Sequence, residues 1–342
     1  MWWKEYYDYN TKTLTLPEKF NNELKDLPDF IEVIIFGKFM EITKTRRYRP
    51  PTIWLVHASE YNLPLEKLPN KLKKIVFGHK FNSTLKVYPK NLTHITFGYA
   101  FNQSVNNLPA NVTHIVFGNS FTKTIDSLPK SLISLEFGSN YIKSIDHLFV
   151  NGNLDNLKFL KFGNNFNVPF NGISKSLTHL TFGYKFNHKI KELLPNLTHL
   201  KFGREFNSSI YNFPDTLTHL SLGERFNKKI SKLPAGLIKL KIKCCRYDKL
   251  ISLPDSLETL IVCNLNFDSY PKSLITLGVC DLTDFSTIPE HVTTLICCSR
   301  RHKYDNLPFW INKIFIEDEK MIDNLKIPFG CKVYNFSNDL LN

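Results

Sequence analysis

The sequence predicts a mainly β fold: a solenoid of roughly sixteen ~20-residue rungs, with a parallel sheet on one face and an irregular or extended outer side. Three observations predict it. Phe77-Gly78, Phe97-Gly98, Phe117-Gly118 and Phe137-Gly138 recur every 20 residues, and after one step of 25 the count resumes at Phe162-Gly163, Phe182-Gly183 and Phe202-Gly203. A fixed period of this size marks a stacked array in which each unit covers its neighbour's apolar edge. Within each unit, apolar residues alternate as in Ile75-Val76-Phe77, the period of a strand with one buried face. And 20 residues leave no room for a strand, two bends and a helix.

Each element of the repeat has a physical task. The glycine after the strand lets the chain leave in a conformation other residues resist. Phe81 and Phe101 are placed inside the bend that follows. Asn82, Asn102, Asn167, Asn187, Asn207 and Asn227 satisfy main-chain groups of that bend and are expected to stack as a buried amide column. The Leu-Pro step opens the return segment, since proline fixes φ and opposes helix.

The pattern covers 1–342 as a single repeat solenoid. Residues 1–27 read as an N-terminal cap or first degenerate unit, 28–232 as regular repeats, and 233–342 as degenerate repeats with a C-terminal cap. Lys44 to Pro51, with Arg46, Arg47 and Arg49, reads as an ordinary return segment with a basic tip, because Met40 and Tyr61 are one rung apart; Leu55 then belongs to a weak unit of its own. The 25-residue step adds a bulged outer loop around His147 to Asn156. Downstream the Phe-Asn corner fades and the spacing shrinks to 17–19, with Ile311, Ile314 and Ile316 forming a late rung and Tyr334 and Phe336 the last.

The Leu-x-x-Leu-x-apolar core followed by an Asn turn and Leu-Pro resembles a leucine-rich repeat, of the short kind found in bacterial effectors. Its Phe-Gly-x-x-Phe-Asn segment resembles the FNIP repeat more specifically, a unit common in social amoebae and giant viruses. The resemblance is strong from Leu68 to Ile230 and weaker beyond. It implies a right-handed, leucine-rich-repeat-like solenoid that acts through protein contacts. Two departures stand out: the proline often found after Phe-Asn occurs mainly as Pro169, and Met1 to Tyr9 cannot hold the three-helix F-box that ties many FNIP proteins to a ubiquitin ligase. The link to ubiquitination rests on family analogy alone and is weakened accordingly.

Composition narrows the function classes. The 342 residues carry 44 basic and 31 acidic side chains, a net charge of +13. That charge attracts acidic partners, yet it also follows from a composition rich in Lys, Asn, Ile and Phe together. The basic residues are spread over most repeats, so no nucleic-acid site is declared. No stretch approaches 18 consecutive apolar residues, so no membrane partner is expected. The seven cysteines all lie beyond position 243, and with no export signal they indicate reduced thiols. The expected location is intracellular, the cytoplasm (the host's, if the source is viral). Cys263, Cys280 and Cys298 replace the post-strand glycine and are expected to stack, while Cys244-Cys245 and Cys297-Cys298 are adjacent pairs unsuited to tetrahedral zinc. No catalytic motif is present, no cofactor or metal is expected, and Cys280-Asp281 lacks the surrounding domain a ligase cysteine would need.

The candidate binding residues lie on the strand face. Thr-His recurs before the strand's inward residue at Thr93-His94, Thr113-His114, Thr178-His179, Thr198-His199 and Thr218-His219. Alternation places His94, His114, His179, His199 and His219 in one outward row, continued by Lys74, Ser134, Phe159 and Lys239. A second outward row runs Val76, Thr96, Val116, Glu136, Lys161, Thr181, Lys201, Ser221 and Lys241. The histidines read either as a polar residue copied with the repeat or as a partner-binding, pH-responsive row, with metal binding ranked last. The function these residues support is a non-enzymatic protein–protein interaction solenoid, of scaffold or substrate-receptor type, with an unidentified protein partner that the basic charge allows to be acidic. A basic nucleic-acid-binding solenoid is the alternative.

Overall fold

The structure, a computed structural model, describes residues 1–46, 49–171, 174–190, 194–210, 212–242, 252–263, 267, 269–279, 285, 287–297, 304–337 and 340–341. It is a parallel β-solenoid with almost no helix and divides into two compact units, Met1–Thr178 and His179–Asn342.

The first unit begins with a short 3₁₀ helix, Trp2–Tyr6, and an antiparallel pair, β1 (Tyr7–Asp8) with β2 (Thr13–Leu16). From β2 the strands are parallel and in register, through β3 (Val33–Phe36), β6 (Lys74–Val76), β7 (His94–Thr96), β8 (His114–Val116), β9 (Ser134–Glu136) and β10 (Phe159–Lys161). Between β3 and β6, strands β4 (Lys38–Arg46) and β5 (Arg49–Ala58) form a separate antiparallel ribbon. This corrects the sequence expectation twice: Lys44 to Pro51 is the distal part of an inserted hairpin, and Leu55 pairs with Glu41 on it instead of starting a rung. The rung count and spacing therefore depart from an even series of sixteen. Arg47 and Tyr48 of the basic tip lie outside the described residues.

The second unit holds β11 (His179–Thr181), β12 (His199–Lys201), β13 (His219–Leu222), β14 (Lys239–Ile242), β15 (Thr259–Val262), β16 (Thr276–Val279), β17 (Thr294–Cys297), β18 (Lys313–Ile316) and β19 (Lys332–Asn335), again parallel and in register. Here Val333, not Tyr334, aligns with Ile314 and is fully buried, while Phe336 is more than half exposed. The last rung is thus one residue out of the expected phase. Either choice kept an apolar residue inward, and the smaller Val occupies the interior.

From β6 to β10 the core is two columns of rings. Phe77, Phe97, Phe117, Phe137 and Phe162 stack at centroid distances of 5.4–5.8 Å, and Phe81, Phe101, Phe121 and Tyr141 at 5.8–6.2 Å. Within a rung the columns touch, Phe97 lying 4.0 Å from Phe101. The Leu-Pro step closes a turn, as at Leu68-Pro69, where the Leu72 N–H donates to the Pro69 carbonyl at 3.1 Å.

Two details of the repeat differ from expectation. None of the glycines from Gly98 to Gly163 sits in the left-handed region; they are required because successive backbones nearly touch. A Cβ on Gly118 would stand 1.8 Å from the Gly98 carbonyl oxygen, and one on Gly138 2.0 Å from that of Gly118. The asparagine column exists but lies at the half-buried to exposed margin. The Asn82 side chain accepts from the Asn102 N–H at 2.7 Å and the Asn102 side chain from the Thr122 N–H at 2.9 Å, so each amide ties its rung to the next. The extra residues of the 25-residue step form a 3₁₀ helix, Asp146–Gly152, with Leu148 buried.

Candidate functional site

Side chains alternate along each strand, so the residues flanking the buried Ile95 or Leu200 face away from the core. In the first unit the face carries His94, Thr96, His114, Val116, Glu136, Phe159 and Lys161. Register places His94 beside His114, Thr96 beside Val116, and Val116 beside Glu136, with Lys161 ion-paired to Glu136. Phe159 is 42% exposed, an unusual position for a phenyl ring. Val76 is an exception to the expected row: it is buried. In the second unit the face carries His179, Thr181, His199, Lys201, His219, Ser221, Lys239 and Lys241, adjacent rung to rung.

The histidines stack. The rings of His94 and His114 lie 4.2 Å apart and 8° from parallel; His179–His199 and His199–His219 are each 4.0 Å apart. Partial burial, with smaller contributions from neighbouring rings and lysines, lowers the pKa of all five below the ordinary value near 6.5, and His199, held between two others, falls to about 4. The row is neutral at neutral pH.

The preceding threonines orient the rings, a role sequence reading missed although the Thr-His pairing was visible. Thr93 Oγ1 lies 3.0 Å from the Lys73 carbonyl oxygen and 2.8 Å from His94 Nδ1. The same carbonyl accepts the Thr93 and His94 N–H groups at 2.8 and 3.0 Å, so the hydroxyl bridges a main-chain group of the preceding rung and the imidazole. The same geometry holds at Thr113–His114 and Thr218–His219. The contact at Nδ1 holds each imidazole in one orientation, with its Nε2 edge away from the threonine.

Beside this row in the first unit runs a shallow groove of about 380 Å³, floored by Gly98, Gly118 and Gly138 and walled by Thr96, Val116, Glu136, Lys161 and Tyr99. The glycines leave the groove without side chains along its floor. Tyr99 stacks on His79 at 4.9 Å at one end, and the Glu136–Lys161 pair lies towards the other.

Among the described residues no group of three or more His, Cys, Asp and Glu is placed to hold a metal ion, and no helix is long and apolar enough to cross a membrane. Cys263, Cys297 and Cys331 are buried. Cys244, Cys245, Cys280, Asp281 and Cys298 lie outside the described residues.

Fold and face together define a leucine-rich-repeat-like solenoid with an open strand surface. The FNIP repeat model matches residues 61–100, 101–140, 169–203 and 186–224, and the chain carries FNIP repeats over these stretches. Among solved structures, CroV588, described as a novel circular LRR protein, matches with a TM-score of 0.53 and 26% identity over 92% of this chain and 65% of that one. This chain therefore spans just under two thirds of the CroV588 length. YopM from Yersinia enterocolitica WA-314 matches with a TM-score of 0.44 and 14% identity, over 97% of this chain and 93% of that one. No curated protein matches.

Proposed function

We propose that the protein is a non-enzymatic interaction solenoid, a scaffold or substrate receptor that holds a protein partner on its strand face. The observation that carries this reading is the pair of in-register outward rows on strands whose positions are fixed by packed rings and rung-to-rung hydrogen bonds. Such a surface binds without an ordering cost, because its side chains are already presented. Leucine-rich-repeat solenoids commonly serve as interaction scaffolds, which adds a family-level argument but names no partner.

Affinity purification from the native host tests it, comparing the wild-type chain with a variant carrying His94→Ser, His114→Ser, His179→Ser, His199→Ser and His219→Ser. A protein recovered by the first and lost from the second is the expected result. Equal recoveries of every captured protein would remove the strand face from the binding surface.

A further inference from the structure

The outward positions of the second unit share a property that the individual repeats conceal: they hold no acidic residue. Across β11 to β19 the two outward rows carry Lys201, Lys239, Lys241, Lys313 and Lys332, with three histidines, Thr, Ser, Ile and one Gly, and then Phe315 and Tyr334. Lys201, Lys239, Lys313 and Lys332 are exposed and Lys241 half-buried. Carboxylates come near at the margins: Glu258 one position before β15, Glu317 one position after β18, and Glu224 beyond β13, where it pairs with Arg204. The first unit differs: its lone outward acid, Glu136, is paired with Lys161, and apolar Val116 and Phe159 stand beside it.

The rings on this face decide which anion fits. His179, His199 and His219 stack on one another, and Phe315 stacks on Tyr334 at 5.4 Å. Ring faces are spent on neighbouring rungs, so the rings turn their edges outward. Nucleobases are held by stacking on open ring faces, which this surface does not offer within its rows. The hydrogen-bearing edges of Phe315 and Tyr334 carry the positive end of the aromatic quadrupole and, beside ammonium groups, suit carboxylate oxygens.

We infer that the strand face of the second unit is a docking surface for an extended acidic polypeptide segment. This rests on the interaction-scaffold reading above and gives that partner its chemistry. Eight strand steps at about 4.8 Å amount to about 38 Å, which an extended chain of about eleven residues would cross. The lysines fall on both ends of that path, on β12 and β14 and again on β18 and β19, with the half-buried Thr259, Thr276 and Ile296 between them, where Ile261, Gly278 and Thr294 are buried. The segment that fits has carboxylates towards both ends and small or apolar residues midway.

Fluorescence anisotropy tests this with a labelled Glu-rich peptide of about twelve residues, the same peptide with every Glu replaced by Gln, and oligo-uridine of similar length, at pH 8 so that the histidines are neutral. The acidic peptide is expected to bind, more weakly as salt is added, and the Lys239→Glu/Lys241→Glu variant to weaken binding about tenfold. The charge-matched Lys229→Glu/Lys232→Glu variant, changed on the outer return segment, should stay within about twofold. Circular dichroism of each variant shows that it is folded. Tighter binding of oligo-uridine than of the peptide, equal losses in both variants, or no peptide binding at all would each overturn the inference. If the peptide fails while the host purification still yields a face-dependent protein, only the acidity of the partner is lost and the scaffold reading stands.

Discussion

The rungs of β6 to β10 and those beyond β13 solve the same stacking problem with different materials. From β6 to β10 the rungs rest on ring columns and glycines so close that carbonyl oxygens occupy the space where a side chain would begin, and the strands are three residues long. Beyond Phe226 the ring columns end, and Leu240, Ile242, Leu260, Leu277, Leu295 and Ile314 form an aliphatic core. There the ladder gains a fourth residue, with Ile242 beside Val262 and Cys297 beside Ile316. Rings lock position through shape and glycines through contact, whereas aliphatic rungs accept steps of 17 to 20 residues. The second unit starts with the same ring and glycine packing, at Phe202, Gly203 and Gly223, and changes to aliphatic rungs past Phe226.

The largest test of this contrast is Phe101→Ala, which removes a fully buried ring touching Phe81, Phe97 and Phe121 and should cost roughly 3–5 kcal/mol by denaturant titration. A near-neutral result would mean that the columns do not carry the first unit. Gly118→Ala should cost about 1–3 kcal/mol through forced separation of two rungs. Gly236→Ala in the second unit meets only the Asp215 carbonyl at 3.8 Å and should be neutral or stabilise by up to about 1 kcal/mol; equal losses at both positions would erase the difference. Asn102→Ala leaves the Thr122 N–H without its acceptor and should cost about 1 kcal/mol, water replacing part of the bond at this half-buried margin.

The smallest effect at neutral pH belongs to the five-histidine replacement, which should leave the thermal midpoint nearly unchanged because the imidazoles are neutral and outward. Acid separates the two proteins. The native pKa values are depressed, so as pH falls below about 6.5 the unfolded chain takes up protons that the folded chain refuses, and stability declines towards pH 4. The variant should lose less of its midpoint over that window, and parallel acid profiles would show that the row does not titrate as its burial implies.

Much of this was legible because the repeat writes the same constraint many times. Phe97, Gly98, Leu92 and Ile95 occur in phase with their counterparts, and each copy corroborates the others. The hairpin was not legible, since Met40 to Tyr61 happens to span the length of one rung and an insertion of that size imitates a repeat. The phase of β19 was ambiguous because Val333-Tyr334-Asn335-Phe336 offers apolar residues on both alternations. The outward histidines were visible as a row, but the threonine that orients each ring bonds to a carbonyl of the preceding rung, a contact between residues about 20 apart that no local pattern displays. The acid-free face was hidden by the same arithmetic: Lys201 and Lys332 are distant in sequence and become one surface only when the strands are laid side by side.

The asparagine ties have a consequence for how such a chain can change length. From Asn62 to Thr122, and again from Asn187 to Asn227, each rung receives a bond from the one before and offers the same bond to the one after, so the junctions within each stretch are interchangeable. Copying one complete turn adds a junction of a kind already present and leaves no mismatched seam. A gene encoding this protein can therefore grow or shorten by whole turns, and the reach of its surface becomes a quantity that recombination adjusts in fixed increments.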